Sequence, residues 1–361
     1  MRSGRSSIER SLFGRMPDGA AVERYTLRHS GGRTVCISTY GSTLLSLTAP
    51  DRLGRWADVL LGYERLADYR EGRAYMGALI GRYANRIALG EFRLAEALCG
   101  ASCNEGRNTL HGGSRGFDKV LWTVEDAVVQ ADEPCLTLCY ESADGEEGFP
   151  GRLTVRAAYS LTAAGALRVD FSAWADRDTI INLTLHPYFN LRGSGDVLGH
   201  RLWLAGREYL PVDGALIPTG ERRSVAATPF DFRSPRTIGA RIGESDPQIR
   251  AAGGYDPTWV LADKRGMLKL DARVEEPETG RVLELLSTQP GLQFYAGQRL
   301  DGSVAGKGGQ RYGPHSGFAL EPQHFPDSPH HPAFPSTLLR AGDCYRHCIA
   351  YRFSILPVRR P

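Results

Sequence analysis

The stretch Leu153-Thr-Val-Arg-Ala-Ala-Tyr-Ser-Leu161, then Thr162-Ala-Ala-Gly-Ala166 and Leu167-Arg-Val-Asp-Phe-Ser-Ala173, decides the fold class. Leu153, Val155, Ala157, Tyr159 and Leu161 recur at every second position, as do Leu167, Val169, Phe171 and Ala173. That period belongs to a strand with one face in a core, and Ala163-Ala164-Gly165 reads as the hairpin turn between two such strands. Outward from this hairpin, residues 33–40, 120–130, 281–287 and 348–356 also read as strands. Helical signals are short and confined to 64–69 and 246–252. Forty-two glycines and 21 prolines punctuate many turns, as antiparallel β structure requires. No linker, internal repeat or low-complexity tract divides the chain. The sequence therefore predicts an all-β protein: one large antiparallel β-sandwich domain over 11–361, behind a flexible leader at 1–10. The glycine-rich stretch 302–313 is expected to be a mobile surface loop, since it lacks the strand-to-helix setting of a phosphate cradle.

With 361 residues the chain has ample length for a large core. Its 44 basic and 41 acidic residues leave a net charge of +3, which gives no reason to expect a nucleic-acid partner. The first 35 residues hold no apolar run suited to a signal peptide, and no stretch approaches the ~18 apolar residues of a membrane span. A cytoplasmic protein without a membrane partner is expected. Seven cysteines, an odd number, argue against a disulfide framework. Cys135-Leu-Thr-Leu-Cys139 reads as a strand with both sulfurs on one face, so buried free thiols are expected rather than a metal site.

Chemistry gathers at strand ends. In Asn182-Leu-Thr-Leu-His-Pro-Tyr-Phe-Asn-Leu191, alternation puts Asn182, Thr184 and His186 on one face, and Pro187, which has no N–H, ends the ladder. An imidazole followed by Tyr188 and Phe189 suits a pocket that moves protons beside a flat ligand; a core histidine satisfied by its neighbours is the ordinary alternative. Gly81-Arg-Tyr-Ala-Asn-Arg-Ile87 offers two guanidiniums and an amide, with Arg82 as readily a surface charge. Asn108-Thr-Leu-His-Gly-Gly113 sets His111 before two glycines, where backbone can approach a ligand. Gly254-Tyr-Asp-Pro257 puts Asp256 in a turn, where an Asx-turn role is commoner. Gln293 and Tyr295 share a strand face. His330-His331, between prolines, reads as loop. Glu321 lies inside the apolar Phe318-Ala-Leu-Glu-Pro-Gln323, where a carboxylate must be paired or functional.

Taken in order, these segments resemble the aldose 1-epimerase (galactose mutarotase) family. The likeness runs from Ser11-Leu-Phe-Gly14 and Ile37-Ser-Thr-Tyr-Gly41 through Gly81–Ile87, Asn108–Gly113, Gly116-Phe-Asp-Lys119 and His186–Leu191 to Glu321-Pro-Gln-His-Phe-Pro-Asp327. The resemblance implies an antiparallel β-sandwich with an open groove for a monosaccharide, no cofactor, and a monomer or homodimer. It implies His186 as general acid and Glu321 as general base, with Asn85, Arg86, His111, Tyr188, Asp256 and Gln293 binding sugar. Exchange of α and β anomers needs one proton removed from the C1 hydroxyl and another delivered to the ring oxygen, and a carboxylate with an imidazole suits both tasks. Two departures from the family pattern, Pro257-Thr258 after Asp256 and His330 in place of asparagine, are expected at the rim. A glycoside hydrolase using Asp256 and Glu321, or a noncatalytic sugar-binding protein, stays open at this point.

Overall fold

The structure, a computed structural model, describes residues 5–262 and 266–357. The hairpin that set the fold class is there: Leu153–Leu161 pairs antiparallel with Leu167–Ala175 from Leu153↔Ala175 to Leu161↔Leu167. These strands sit in a nine-stranded sheet with Glu133–Ser142 on one side and Tyr345–Ile355 and Arg281–Ser287 on the other. A five-stranded sheet runs from Ser7–Arg15 to Trp56–Asp58. Its Leu27, Val35 and Leu47 share one core with Leu136, Val155 and Val169 of the larger sheet, as layered β proteins require.

A third sheet, of six strands, positions the site. It orders Tyr188–Phe189, Phe318–Gln323, Gly291–Tyr295, Thr258–Val260, Glu208–Leu210 and Arg223–Ser224. Trp259, Leu292, Phe294, Phe318 and Leu320 turn one face of it into the common core. Alternation then commits Thr258, Gln293, Tyr295, Ala319 and Glu321 to the opposite face.

Among the described residues the two α-helices are short, Leu66–Glu71 and Pro247–Ala252. The second starts as its sequence dictates, with proline in the first turn and the Asp246 carboxylate accepting from the Gln248 N–H. None of the described helices is long and apolar enough to cross a membrane.

Four expectations need correction. Residues 7–10, assigned to the leader, belong to the strand Ser7–Arg15, which pairs with Ala21–Arg28; residues 1–4 lie outside the described residues. Only Cys36 and Cys348 are buried, and Cys103 and Cys344 are exposed. Cys135 and Cys139 do share a strand face, but Leu136 and Leu138 occupy the core side, which turns the sulfurs outward. The stretch 302–313 is anchored: Lys307 Nζ lies 2.7 Å from Asp58 Oδ2, and Tyr312 packs in a cluster with Tyr63, Tyr188 and Tyr295. Arg82 is 2% exposed and far from being a surface charge. Its guanidinium donates to the carbonyls of Pro150 and Gly151 at 2.9 Å and to Ser142 Oγ at 2.6 Å. Burial, without a carboxylate in contact, brings its pKa down to about 10.

Replacing Arg82 with Met leaves those carbonyls buried and unsatisfied. Denaturant unfolding of R82M should show a loss of about 2–4 kcal/mol; an unchanged midpoint would mean that water substitutes for the guanidinium.

Candidate active site

Strand register builds the floor of the site. Thr258 faces Gln293 and Gln293 faces Glu321 across neighbouring strands, so the three side chains form one row. Two residues along, Tyr295, Ala319 and Tyr188 form the next row on the same face. The small Ala319 side chain leaves the tyrosine rings free to meet over it edge to face, 6.0 Å apart. Glu321 is 2% exposed.

His186 is brought to Glu321 by a separate short ladder. Thr184–Leu185 pairs with Leu79–Ile80, after which the His186 N–H donates to the Ala78 carbonyl and its own carbonyl accepts from the Gly77 N–H. This fixed backbone holds Nε2 3.5 Å from Glu321 Oε1, with the ring 4.9 Å from that of Tyr188. Of the three residues that alternation placed together, only His186 lines the cavity. The Asn182 amide is spent on the Ala84 carbonyl and the His324 backbone.

The second wall comes from Arg86–Ile87 paired with Thr109–Leu110. Asn85 and His111 flank this pair in left-handed conformations, φ 63° and 53°, which a surrounding lock must hold. The lock is reciprocal. The Asn85 N–H donates to His111 Nδ1 at 3.2 Å, and the His111 N–H donates to the Asn85 carbonyl at 3.0 Å. Because Nδ1 accepts, the proton of the neutral ring sits on Nε2, so His111 presents a donor to the cavity. Gly112 serves packing rather than ligand approach: a Cβ there would lie 2.0 Å from the Gly81 carbonyl oxygen.

Arg86 offers one edge of its fork to Glu105, with Nε–Oε2 at 2.6 Å and Nη2–Oε1 at 2.8 Å. Asp256 is oriented from behind, since Gln293 Nε2 donates to its backbone oxygen at 2.6 Å and to Oδ1 at 2.9 Å. The Thr258 hydroxyl donates to Gln293 Oε1 and so fixes which end of the amide faces Asp256.

These walls enclose a cavity of about 600 Å³. Asn85, Arg86, His111, His186, Tyr188, Asp256 and Glu321 all line it. Gln293 does not: its amide supports Asp256 where a direct contact with sugar was expected. Thr258 belongs to the floor, 3% exposed, rather than the rim. His330 is held by Asp327, Nδ1 to Oδ1 at 2.6 Å, and with His331 stays out of the cavity lining.

Burial dominates the electrostatics. It pushes the Glu321 carboxyl well above the usual carboxylate range, a direction that Asp256 reinforces and Arg86 opposes. It raises Asp256 as well, against the pull of Arg86 and Gln293. It brings His186 down to about 4 and, aided by the charge of His186 and Arg86, sends His111 well below the histidine norm. With the carboxyl pushed up and the imidazole pushed down, 3.5 Å apart, the pair holds a single proton over a wide pH range, and it rests on Glu321. Ligand-type atoms of His111, His186 and Glu321 lie within 4.8 Å of one another, a spacing that a metal ion would tolerate. His111 has no lone pair to offer there, because Nδ1 is taken by Asn85 and Nε2 carries the proton. The set suits proton transfer.

The sequence profile of aldose 1-epimerases matches residues 23–352. The chain belongs to the aldose 1-epimerase family. It is 42% identical over 352 residues to the galactose mutarotase of Rattus norvegicus, covering 97% of this chain and 99% of that protein. It is 38% identical to the aldose 1-epimerase of Escherichia coli K12 over 93% and 96% of the two chains. The solved structure of an aldose epimerase homologue from C. elegans, at 30% identity, superposes with a TM-score of 0.82 over 90% of this chain and 97% of that one.

Residues that the sequence did not assign to the site of this aldose 1-epimerase family member also build the cavity. Tyr75 packs 4.6 Å from the His111 ring, Tyr295 stands beside Tyr188, and Glu105 grips Arg86. Tyr295 had a signal, its shared face with Gln293; Tyr75 and Glu105 sit in loops without periodicity.

Ring-resolved NMR titration should separate the histidines. His186 should stay neutral until pH approaches about 4, whereas His330, whose pKa Asp327 raises, should protonate above the ordinary histidine value. A His186 midpoint near 6.5 would mean that the cavity is wetter than its enclosure implies.

Proposed function

We propose that the chain is an isomerase that interconverts the α and β anomers of free aldohexoses such as glucose or galactose. The observation that carries this reading is the buried His186–Glu321 pair at 3.5 Å, facing a cavity whose other walls hold fixed donors and acceptors. Family membership and 42% identity to a galactose mutarotase support it. The His186 imidazole, 3.5 Å from Glu321, gives the carboxyl the acid–base partner that ring opening and reclosure need.

The geometry suggests the following course. The reaction starts from the minor form in which the proton of the pair sits on His186: Glu321 takes the proton from the C1 hydroxyl as the bond from C1 to the ring oxygen breaks, and His186 delivers its proton to that oxygen. The products are an open-chain aldehyde, a neutral carboxylic acid and a neutral imidazole. That neutral pair is the state burial favours, so the cavity stabilises the half-way point of the reaction. After rotation about C1–C2, His186 removes the proton from the former ring oxygen, which attacks the other face of the carbonyl, and Glu321 returns its proton to the C1 oxygen. The second half mirrors the first, and the protons balance without any change of oxidation state. Arg86 and the His111 Nε2–H stand ready to stabilise charge developing on the ring oxygen. Asp256, Asn85 and Tyr188 hold the remaining hydroxyls and the sugar face. Gln293 and Thr258 act through Asp256.

Every residue invoked comes from one chain, so a monomer or a homodimer would carry complete sites. A cytoplasmic setting suits seven cysteines that are all free thiols.

Polarimetry on freshly dissolved α-glucose and α-galactose should show accelerated mutarotation, and no acceleration with either would sink the proposal. Glu321→Gln should lower kcat by about 10³-fold or more with the circular dichroism spectrum intact. The rate should depend on pH as a bell. Activity is lost on the acid side only as pH falls toward about 4, when His186 also takes a proton, and on the alkaline side as pH rises through the raised pKa of Glu321. Thr258→Val lets the Gln293 amide rotate and should raise KM about tenfold with kcat less affected; an unchanged KM would mean that Asp256 needs no such support.

A further inference from the structure

Arg86 is the cation that reaches both Glu321 and Asp256 in the cavity, lowering the pKa of each. A buried guanidinium beside two carboxylates would ordinarily close on one of them as a bidentate ion pair. Here it does not. Among the described residues its ion pair is with Glu105, and neither Asp256 nor Glu321 is within ion-pair distance of it. Glu105 takes the Nε–Nη2 edge with two short bonds, which leaves Nη1 outside that pair on a residue that lines the cavity. The Glu105 side chain is itself 31% exposed, against 6% for Arg86, and lines the cavity wall. It is held there by its turn, where the Glu105 and Asn108 backbones bond to each other and Asn104 ties the turn to Leu110 and Gly113.

We propose that Glu105 is a positioning residue for the epimerase reaction: by binding one edge of Arg86 it keeps the guanidinium from pairing with Glu321 and Asp256. Its negative charge also offsets that of Arg86. Both effects preserve a carboxyl basic enough to share its proton with His186 and leave an Arg86 donor for the substrate. This role rests on the mutarotase reading for its catalytic consequence but not for its electrostatic one. Glu321 is faced by His186 and Asp256 and by Arg86 across the cavity, with Tyr188, Tyr295 and Tyr351 around it. Of these, only Arg86 is gripped by Glu105.

The test compares the wild type with Glu105→Gln and Glu105→Asp. In the sugar-free protein, the carboxyl carbon of Glu321, followed by NMR through a pH titration, should have a midpoint lower by about one unit in E105Q, since an opposite charge near a carboxylate shifts it by that order. E105D keeps the charge and should leave the midpoint close to wild type. In the mutarotation assay, E105Q should lose about tenfold in kcat/KM, with the alkaline limb of the bell moved to lower pH. E105D should lose rate without that movement. An E105Q protein whose Glu321 midpoint is unmoved overturns the proposal, whether its rate is unchanged or falls in step with thermal stability. A wild type that does not accelerate mutarotation overturns the function proposed above, while the titration still decides whether Glu105 restrains Arg86.

Discussion

The site depends on the register of three strands, Thr258–Val260, Gly291–Tyr295 and Phe318–Gln323. Their side-chain period is two, so a slip by one residue would put Leu320 into the cavity and Glu321 into the core. What forbids the slip is the underside of the sheet, where Trp259, Leu292, Phe294, Phe318 and Leu320 are all buried. Apolar packing on one face thus specifies polar chemistry on the other. Thr258, Gln293 and Glu321 form a row because their neighbours in sequence are committed elsewhere. The cost of a buried carboxylate is carried by a hydrophobic layer that never meets the substrate.

The cavity then uses its low dielectric in two ways. It disfavours charge on Glu321 and on His186 alike, inverting the ordinary order of their proton affinities so that the proton of the pair rests on the carboxyl. It also strengthens each fixed dipole that remains, among them the His111 Nε2–H and the Arg86 Nη1 group. Glu321 and Asp256 in so small a volume need a cation, and Arg86 supplies it from one wall. The same cation would disable the base if it came too close, so its geometry matters as much as its charge.

Much of this was legible in the sequence, for reasons that differ by residue. The hairpin at 153–175 was plain because one face of it is fully buried and alternation is then strict. Glu321 stood out because an ionisable group in an apolar strand has few ordinary explanations, and the His186 segment because proline ends it. Legibility failed where partners come from elsewhere in the chain. Arg82 has the composition of a surface residue, and only the carbonyls of Pro150 and Gly151 make it an interior one. Gln293 shares the face of Glu321 yet turns its amide to Asp256, a choice made by the Thr258 hydroxyl on the next strand. Glu105 lies in Asn104-Glu-Gly-Arg-Asn108, which looks like any solvated turn. The cysteines misled because alternation fixes which residues share a face without saying which face is inward.

The segments that meet around the cavity are far apart in the chain, with Asn85 and Arg86 near its first quarter and Glu321 near its end. The ladder bringing Glu321 to Gln293 joins consecutive strands, but both emerge late in a chain synthesised from its N-terminus. Asn85 and His111 can lock together long before that, since both are synthesised in the first third of the chain. During biogenesis the protein would therefore own a preformed donor wall with no acid–base partner opposite it. Proton transfer is a property such a chain can acquire only once its last hundred residues have been made.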